Sequence, residues 1–149
     1  MSSNNFFEDS VFEDHYRPPV HDLLKDSSFL QKKKSQLHGF GVFTSIKIHP
    51  NSEFYLVPMG GLLSSPAPRA ARIATGKFIN DEKVLNWVNH SCEANSELSI
   101  QQNKIVLRSL REIAPGEEIT VDYTLTEEKN NLVQCKCGSA KCRNYFYTT

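Results

Sequence analysis

The sequence predicts a mainly β fold with few short helices, and three observations support this. Short runs rich in β-branched and aromatic residues recur along the chain, separated by Pro, Gly, Asn and Ser. Helical start and stop signals occur in two short stretches. The chain has 149 residues, of which 39% are hydrophobic and 23% charged, a composition typical of one folded domain.

Five segments are predicted as strands, because each combines strand-forming residues with a neighbouring turn. Prolyl and asparaginyl turn formers separate the first two segments, and Gln102-Asn103 is the predicted turn of a hairpin. A third turn, Ala114-Pro115-Gly116, precedes the last segment. The predicted strands are 42–46, 53–57, 98–101, 104–110 and 118–123.

Two short helices and one exposed strand edge complete the prediction. Ser65 and Pro66 form the start signal, and Gly76 the stop signal, of a helix over 66–75. A second helix of a turn or two is predicted around 83–90. The run of three lysines that begins at residue 32 predicts a solvated strand edge, because charge discourages further pairing there.

The charge balance excludes several classes of function. Basic and acidic residues number 17 each, which argues against direct nucleic-acid binding and against electrostatic binding to a membrane. Residues 1–27 carry six acidic and two basic residues, a net charge of −4. We interpret this segment as an arm that docks its aromatic residues on the body or as a mobile acidic arm, and a poorly ordered terminus is the alternative.

The expected location follows from two missing patterns. No apolar run approaches the ~20 residues that a membrane helix needs. The N-terminal residues have neither the basic end nor the apolar centre of a secretory signal. We therefore expect a protein of the cytoplasm or nucleus whose cysteines are reduced.

The four cysteines predict a structural zinc site. Cys135, Cys137 and Cys142 form a C-x-C-x4-C pattern, and three thiols this close cannot easily pair off as disulfides. Zinc prefers four tetrahedral ligands, so a fourth sulfur is required. Cys92 is the remaining cysteine, and we predict that it completes the site. The alternative is a set of free or partly bridged thiols.

Three further motifs contain residues suited to chemistry: HGFGVF at 38–43, WVNHSCEAN at 87–95 and GEEITVDY at 116–123. Taken singly, each also fits an ordinary turn, a buried histidine or a tyrosine at a strand end. In this order, and followed by CKCGSAKCRN, they resemble the SET-domain protein-lysine methyltransferases with a post-SET zinc motif. The resemblance covers about residues 30–146.

The resemblance implies a fold and a domain organisation. The fold is a β-clip of several small curved sheets, in which a C-terminal strand threads, knot-like, under the loop that carries NHSC. It also implies three regions in this chain. They are an N-terminal extension at 1–29, a SET domain at 30–125 and a post-SET zinc-binding tail at 126–149.

The resemblance also implies an activity and its residues. The activity is transfer of methyl groups from S-adenosylmethionine to the ε-amine of lysine in a protein, for which a histone is one candidate. Tyr123 is the implied catalytic residue, and the four cysteines are the implied ligands of one structural Zn²⁺. The implied cofactor-binding residues are His38, Gly39, Phe40, Gly41, Asn89, His90 and Tyr123, with Tyr145 or Phe146 against the adenine.

The sequence departs from the family at the expected substrate wall. Val57-Pro58 stand where the family often has a Glu-Tyr pair, so a substrate-side tyrosine is missing or is supplied by Tyr55. Val121 stands where Phe or Tyr is usual and leaves room for multiple methylation. These changes motivate an alternative function, a catalytically weak SET-like binding module that retains zinc and cofactor. A small zinc-stabilised interaction domain is a further alternative.

Overall fold

The computed structural model describes residues 21–123 and 131–148. Short strands in several small sheets make up most of the described structure, which confirms the mainly β prediction. The strands are β1 Leu30–Lys34, β2 Phe40–Thr44, β3 Glu53–Leu56, β4 Leu62–Leu63, β5 Ala71–Ala74, β6 Lys77–Ile79, β7 Asn89–His90, β8 Ser96–Ile100, β9 Ile105–Ser109, β10 Glu118–Val121, β11 Asn131–Gln134 and β12 Tyr145–Thr148. The helices are α1 His21–Lys25 and the 3-10 helices Met59–Gly61 and Leu85–Trp87.

The sheet with the order β1-β2-β10-β7 positions most of the motif residues. Its outer strand β1 pairs antiparallel with β2, and β2 pairs antiparallel with β10. On its other side β10 runs parallel to β7, with Thr120 opposite Asn89 and Val121 opposite His90. This parallel pairing brings together two segments that are about thirty residues apart in sequence.

Three smaller sheets complete the described structure. β3, β9 and β8 form an antiparallel sheet in that order, and β4, β6 and β5 form another. The hairpin between β8 and β9 is in the register Ser96 opposite Ser109 through Ile100 opposite Ile105. β11 and β12 form a two-stranded antiparallel sheet that belongs to the C-terminal tail.

A single hydrophobic core lies between these sheets. Its most buried side chains come from the centres of the strands and from the bridge that joins Ile48 to Ile113. Removing this apolar surface from water is the main favourable contribution to folding. The fully buried members are Ile48, Phe54, Ile79, Leu107, Ile113 and Ile119.

All five predicted strands are confirmed, with boundaries that differ by up to two residues from those observed. The hairpin about Gln102-Asn103 is also confirmed. Of the two predicted helices, the one around 83–90 is present as the 3-10 helix Leu85–Trp87. The lysine run is in β1, whose residues 31–34 are exposed at the end of its sheet, as predicted.

The helix predicted over 66–75 is wrong. Pro68 disfavours helical backbone at Ala67, and Arg69 has a positive φ of 64° that interrupts any helix. The segment that follows is β5, which pairs with β6 and buries Ala71. Gly76, with φ of 69°, is in the turn between β5 and β6 instead of ending a helix.

Part of the predicted domain organisation lies outside the described residues. This applies to residues 1–20 of the extension and to residues 124–130 and 149 at the junction and end of the tail. The threading of the C-terminal strand under the NHSC loop stays a prediction, although β10 and β7 are neighbours. Within the described residues, each helix is too short or too polar to cross a bilayer.

We predict that Phe54→Ala lowers the free energy of unfolding by about 3–5 kcal/mol, because the ring is fully buried and its loss leaves a cavity. Leu56→Ala is the matched control, since this leucine is on the same strand and is 43% exposed. Its effect should be below about 1 kcal/mol. Urea denaturation measures both values, and equal losses in the two variants contradict the assigned core.

Candidate functional site

A cavity of about 850 Å³ lies where the three sequence motifs and the C-terminal tail meet. Its wall is largely apolar and aromatic, and no Asp or Glu side chain lines it among the described residues. A pocket of this size holds a ligand as large as a nucleoside derivative. The candidate residues from the sequence that line it are His38, Gly39, Phe40, Asn89, His90, Val121, Tyr123, Cys135, Cys137 and Phe146.

The loop that precedes β2 forms one wall of the cavity and is held by its own hydrogen bonds. The backbone N–H groups of Leu37 and His38 donate to Oγ of Ser35, at 2.9 and 3.3 Å. The Ser35 N–H in turn donates to the Gly39 carbonyl at 2.8 Å. Gly39 has a φ of 45°, which a residue with a side chain adopts with strain, so glycine is required for this turn.

Asn89, in β7, holds the same loop by hydrogen bonds. Its side-chain N–H groups donate to the carbonyls of His38 and Phe40, at 3.1 and 3.0 Å. The same nitrogen lies 2.8 Å from Oε2 of Glu118. Asn89 is 7% exposed, and these neutral and charged acceptors satisfy its amide inside the protein.

The imidazole of His90 connects the cavity wall to the cysteines. Its Nδ1 accepts a hydrogen bond from the Tyr123 backbone N–H at 3.0 Å, and its Nε2 is 3.3 Å from Cys92 Sγ. Burial lowers the pKa of His90 to about 4, so the ring is neutral near pH 7. Because Nδ1 accepts the Tyr123 N–H, the proton of the neutral ring is on Nε2. Phe146 stacks on the ring, with centroids 4.3 Å apart.

Tyr123 follows β10 and lines the cavity with its ring edge-on to Phe146, 5.4 Å between centroids. Its hydroxyl donates to the Val88 carbonyl at 2.7 Å. This hydrogen bond restricts rotation of the phenol and holds its oxygen in place at the cavity wall. Two elements, the strand end and the residues before β7, therefore fix the position of this oxygen.

The four cysteines converge on one point, as the sequence predicted. The sulfur atoms of Cys92, Cys135, Cys137 and Cys142 all lie within 4.8 Å of one another, and none is in a disulfide. A tetrahedral zinc site with Zn–S near 2.3 Å has sulfur–sulfur edges of about 3.8 Å. The Cys92 and Cys135 sulfurs are 3.7 Å apart, so the donor set fits a zinc ion.

Further contacts orient the cysteines and attach the tail beside Tyr123. The Arg143 N–H donates to Cys92 Sγ at 3.3 Å, and the Arg143 guanidinium donates to Asp122 at 2.7 Å. Ser139 Oγ donates to the Glu93 carboxylate at 2.8 Å. Hydrogen bonds of this kind around a metal site restrict the directions of its ligands.

Of the candidate cofactor-binding and substrate-binding residues, three lie outside the cavity lining. Gly41 is buried behind the loop, and Tyr145 is 52% exposed on the tail. Tyr55 is 4% exposed, and its hydroxyl donates to Asp81 at 2.7 Å. Burial, followed by the hydrogen bond and charge of Asp81, raises the pKa of Tyr55 above its ordinary value. The assignment of Tyr55 to the substrate wall stays a prediction.

Sequence reasoning missed a group of cations around Trp87 at the cavity. The Lys32 ammonium is 3.4 Å from the centroid of the indole, and the Arg69 guanidinium carbon is 4.4 Å from it. Phe40 packs edge-on against the same ring. Trp87 stands next to the NHSC motif in sequence, but only the fold brings the two cations to it.

The chain is similar in sequence to two histone-lysine N-methyltransferases. The chain is 32% identical to the histone-lysine N-methyltransferase TRX1 of Oryza sativa subsp. japonica. The alignment covers 74% of this chain and 13% of the length of TRX1. The H3 lysine-4 specific histone-lysine N-methyltransferase of Schizosaccharomyces pombe is 38% identical over 87% of this chain and 17% of its own length. The chain thus spans less than a fifth of either relative.

A family model matches all the residues that line the cavity except those of the C-terminal tail. The model is that of the SET domain, and it matches residues 21–124, which include the loop before β2, β7, β10 and Tyr123. The cysteine-rich tail lies beyond the matched residues. The chain therefore belongs to the SET-domain family.

Proposed function

We propose that this chain is a protein-lysine N-methyltransferase that uses S-adenosylmethionine. One observation carries the proposal: the Tyr123 phenol, braced by the Val88 carbonyl, lines the same cavity as the loop held by Asn89. Membership of the SET-domain family and the printed names of the relatives support the same activity. The proposed boundaries remain 1–29, 30–125 and 126–149.

We assign the cofactor to the end of the cavity that is formed by the loop before β2 and by the C-terminal tail. We assign the methionine part to the backbone of His38–Gly41 with Asn89, and the adenine part to His90 and Phe146 or Tyr145. When bound, S-adenosylmethionine supplies a methyl group attached to a positively charged sulfur.

The apolar part of the wall prepares the lysine amine. At pH 7 an exposed lysine, with a pKa of about 10.4, needs about 4.6 kcal/mol to lose its proton. Leu85, Val88, Leu98 and Val121 form apolar wall, and desolvation against such residues lowers the pKa of an amine. The proton leaves through water, so a strong general base is not required.

Tyr123 then acts by orientation. Its oxygen is fixed by the Val88 carbonyl, and its backbone is fixed by His90. A fixed oxygen can align the methyl group and the amine through weak C–H···O and N–H···O contacts. Alignment of two reacting groups is worth up to about 7–11 kcal/mol in favourable cases. Small Val121 leaves space for an amine that already carries a methyl group.

We also propose one structural Zn²⁺ on the four cysteines and a histone as substrate. The thiolates would hold the tail, with Phe146, against His90, and such binding is coupled to folding of the tail. The substrate rests on the names of the relatives, which are histone-lysine methyltransferases. The net negative charge of residues 1–27 is complementary to the positive charge of a basic histone tail. Reduced thiols fit a reducing compartment.

The activity is tested with purified protein, labelled S-adenosylmethionine and a panel of histones, ribosomal proteins and whole lysate. We expect label on lysine, and we expect Tyr123→Phe to reduce kcat by at least about 100-fold because it removes the orienting oxygen. Ser64→Ala, a change at an exposed loop residue, should retain activity. S-adenosylhomocysteine affinity, measured by calorimetry, should change less than about fivefold in Tyr123→Phe.

Two results contradict this proposal. Binding of S-adenosylhomocysteine without label on lysine favours the catalytically weak binding module. Full activity in Tyr123→Phe removes the assigned catalytic residue.

The metal site is tested by elemental analysis of Cys92→Ser. We expect about one zinc per chain in the parent protein and a loss of most of it in the variant, because serine is a poor zinc ligand. Limited proteolysis should then cut the tail more readily. Ser64→Ala is the control, since it changes an exposed loop residue and leaves all four sulfurs. Equal zinc content in Cys92→Ser and the parent contradicts the assigned fourth ligand.

A further inference from the structure

The partly buried Glu118 carboxylate belongs to a hydrogen-bond network that the proposed mechanism does not use. Its carboxylate accepts from Ser35 Oγ, at 2.8 Å to Oε1 and 3.0 Å to Oε2, and from the Asn89 amide at 2.8 Å. Its neighbour Glu117 behaves differently, because it forms an ion pair with Arg111. Among the described residues, no cation lies within ion-pair distance of Glu118.

Both partners of Glu118 hold the loop that lines the cavity. Ser35 Oγ donates to the carboxylate and accepts the N–H groups of Leu37 and His38. The two N–H groups of the Asn89 amide are shared among the carboxylate and the carbonyls of His38 and Phe40. The single carboxylate is therefore the acceptor on which two separate braces of the loop converge.

Gly41 explains how the carboxylate reaches this position. A Cβ atom at residue 41 would overlap the Glu118 carboxylate and would lie 3.1 Å from the Asn89 amide nitrogen. The φ of this glycine is not in the left-handed region, so its requirement is for space. The glycine thus leaves room between β2 and β10 for the carboxylate and the amide to meet.

We propose that Glu118 is a positioning residue for the cofactor-binding loop and acts through Ser35 and Asn89. The inference rests on the proposed function, because that proposal assigns the loop to S-adenosylmethionine. An ionised carboxylate is a stronger acceptor than a neutral amide and accepts from both donors at once. Its loss weakens binding of the cofactor and leaves the reacting groups at Tyr123 in place.

Glu118→Gln is the sharpest variant, and Glu117→Gln is its matched control. Glutamine preserves the shape but directs an N–H₂ group at one of the two donors, which breaks one brace. We expect the Kd for S-adenosylhomocysteine, measured by calorimetry, to rise about tenfold in Glu118→Gln and less than about twofold in Glu117→Gln. The KM for S-adenosylmethionine should rise similarly, while kcat at saturation changes less than about twofold.

The outcomes separate the two proposals. If the parent protein binds neither S-adenosylmethionine nor S-adenosylhomocysteine, the proposed function fails. If the parent binds and Glu118→Gln binds equally well, the positioning role alone is overturned. A fall in kcat at saturation with unchanged Kd also overturns it. If Glu118→Gln does not fold, Ser35→Ala replaces it, and an unchanged Kd in that variant overturns the inference.

A double-mutant cycle tests the network directly. Gly41→Ala should raise the Kd for S-adenosylhomocysteine about tenfold in the parent, because the added methyl displaces the carboxylate. In a Glu118→Ala background the same change should add less than about threefold, since the overlapping group is gone. Equal effects in both backgrounds contradict a shared network. Circular dichroism and zinc content verify that each variant is folded.

Discussion

The short parallel pairing of β7 with β10 is the constraint on which the candidate site depends. It places Asn89 beside Thr120 and His90 beside Val121. The next residues along the two segments are Ser91, whose N–H donates to the Val121 carbonyl, and then Cys92 and Tyr123. A few backbone hydrogen bonds thus fix the amide of Asn89, the imidazole of His90, the thiol of Cys92 and the phenol of Tyr123 relative to one another. A shift in the register of this pairing would separate these side chains.

The cysteine cluster extends this constraint to the C-terminal tail. The tail shares little apolar surface with the core, as the exposure of Leu132 and Tyr145 indicates. Its attachment comes instead from the sulfur atoms, from the ion pair of Arg143 with Asp122 and from the stacking of Phe146 on His90. A small number of directional contacts, rather than extensive apolar burial, therefore holds the described part of the tail beside the site.

The sequence predicted the parts of the site that are written in contiguous motifs. The four cysteines could be predicted from their number and from the spacing of the last three, whereas Tyr123 and Asn89 could be named only from the resemblance of their motifs to the SET-domain family. The network of Glu118 could not be predicted, because its partner Ser35 is 83 residues away and neither residue is unusual in sequence. The helix predicted over 66–75 was wrong for a different reason, because Pro68 and the pairing of β5 with β6 outweigh the local helix signals there.

The position of Trp87 gives the protein a built-in optical reporter. The chain contains a single tryptophan, and its indole lies on the cavity wall within 3.4 Å of one ammonium group. Indole emission responds to nearby charge and to water, and the indole emission of this chain comes from one known place. Titrations of any small molecule that enters the cavity can therefore be followed without a label, and the signal is free of contributions from other indoles.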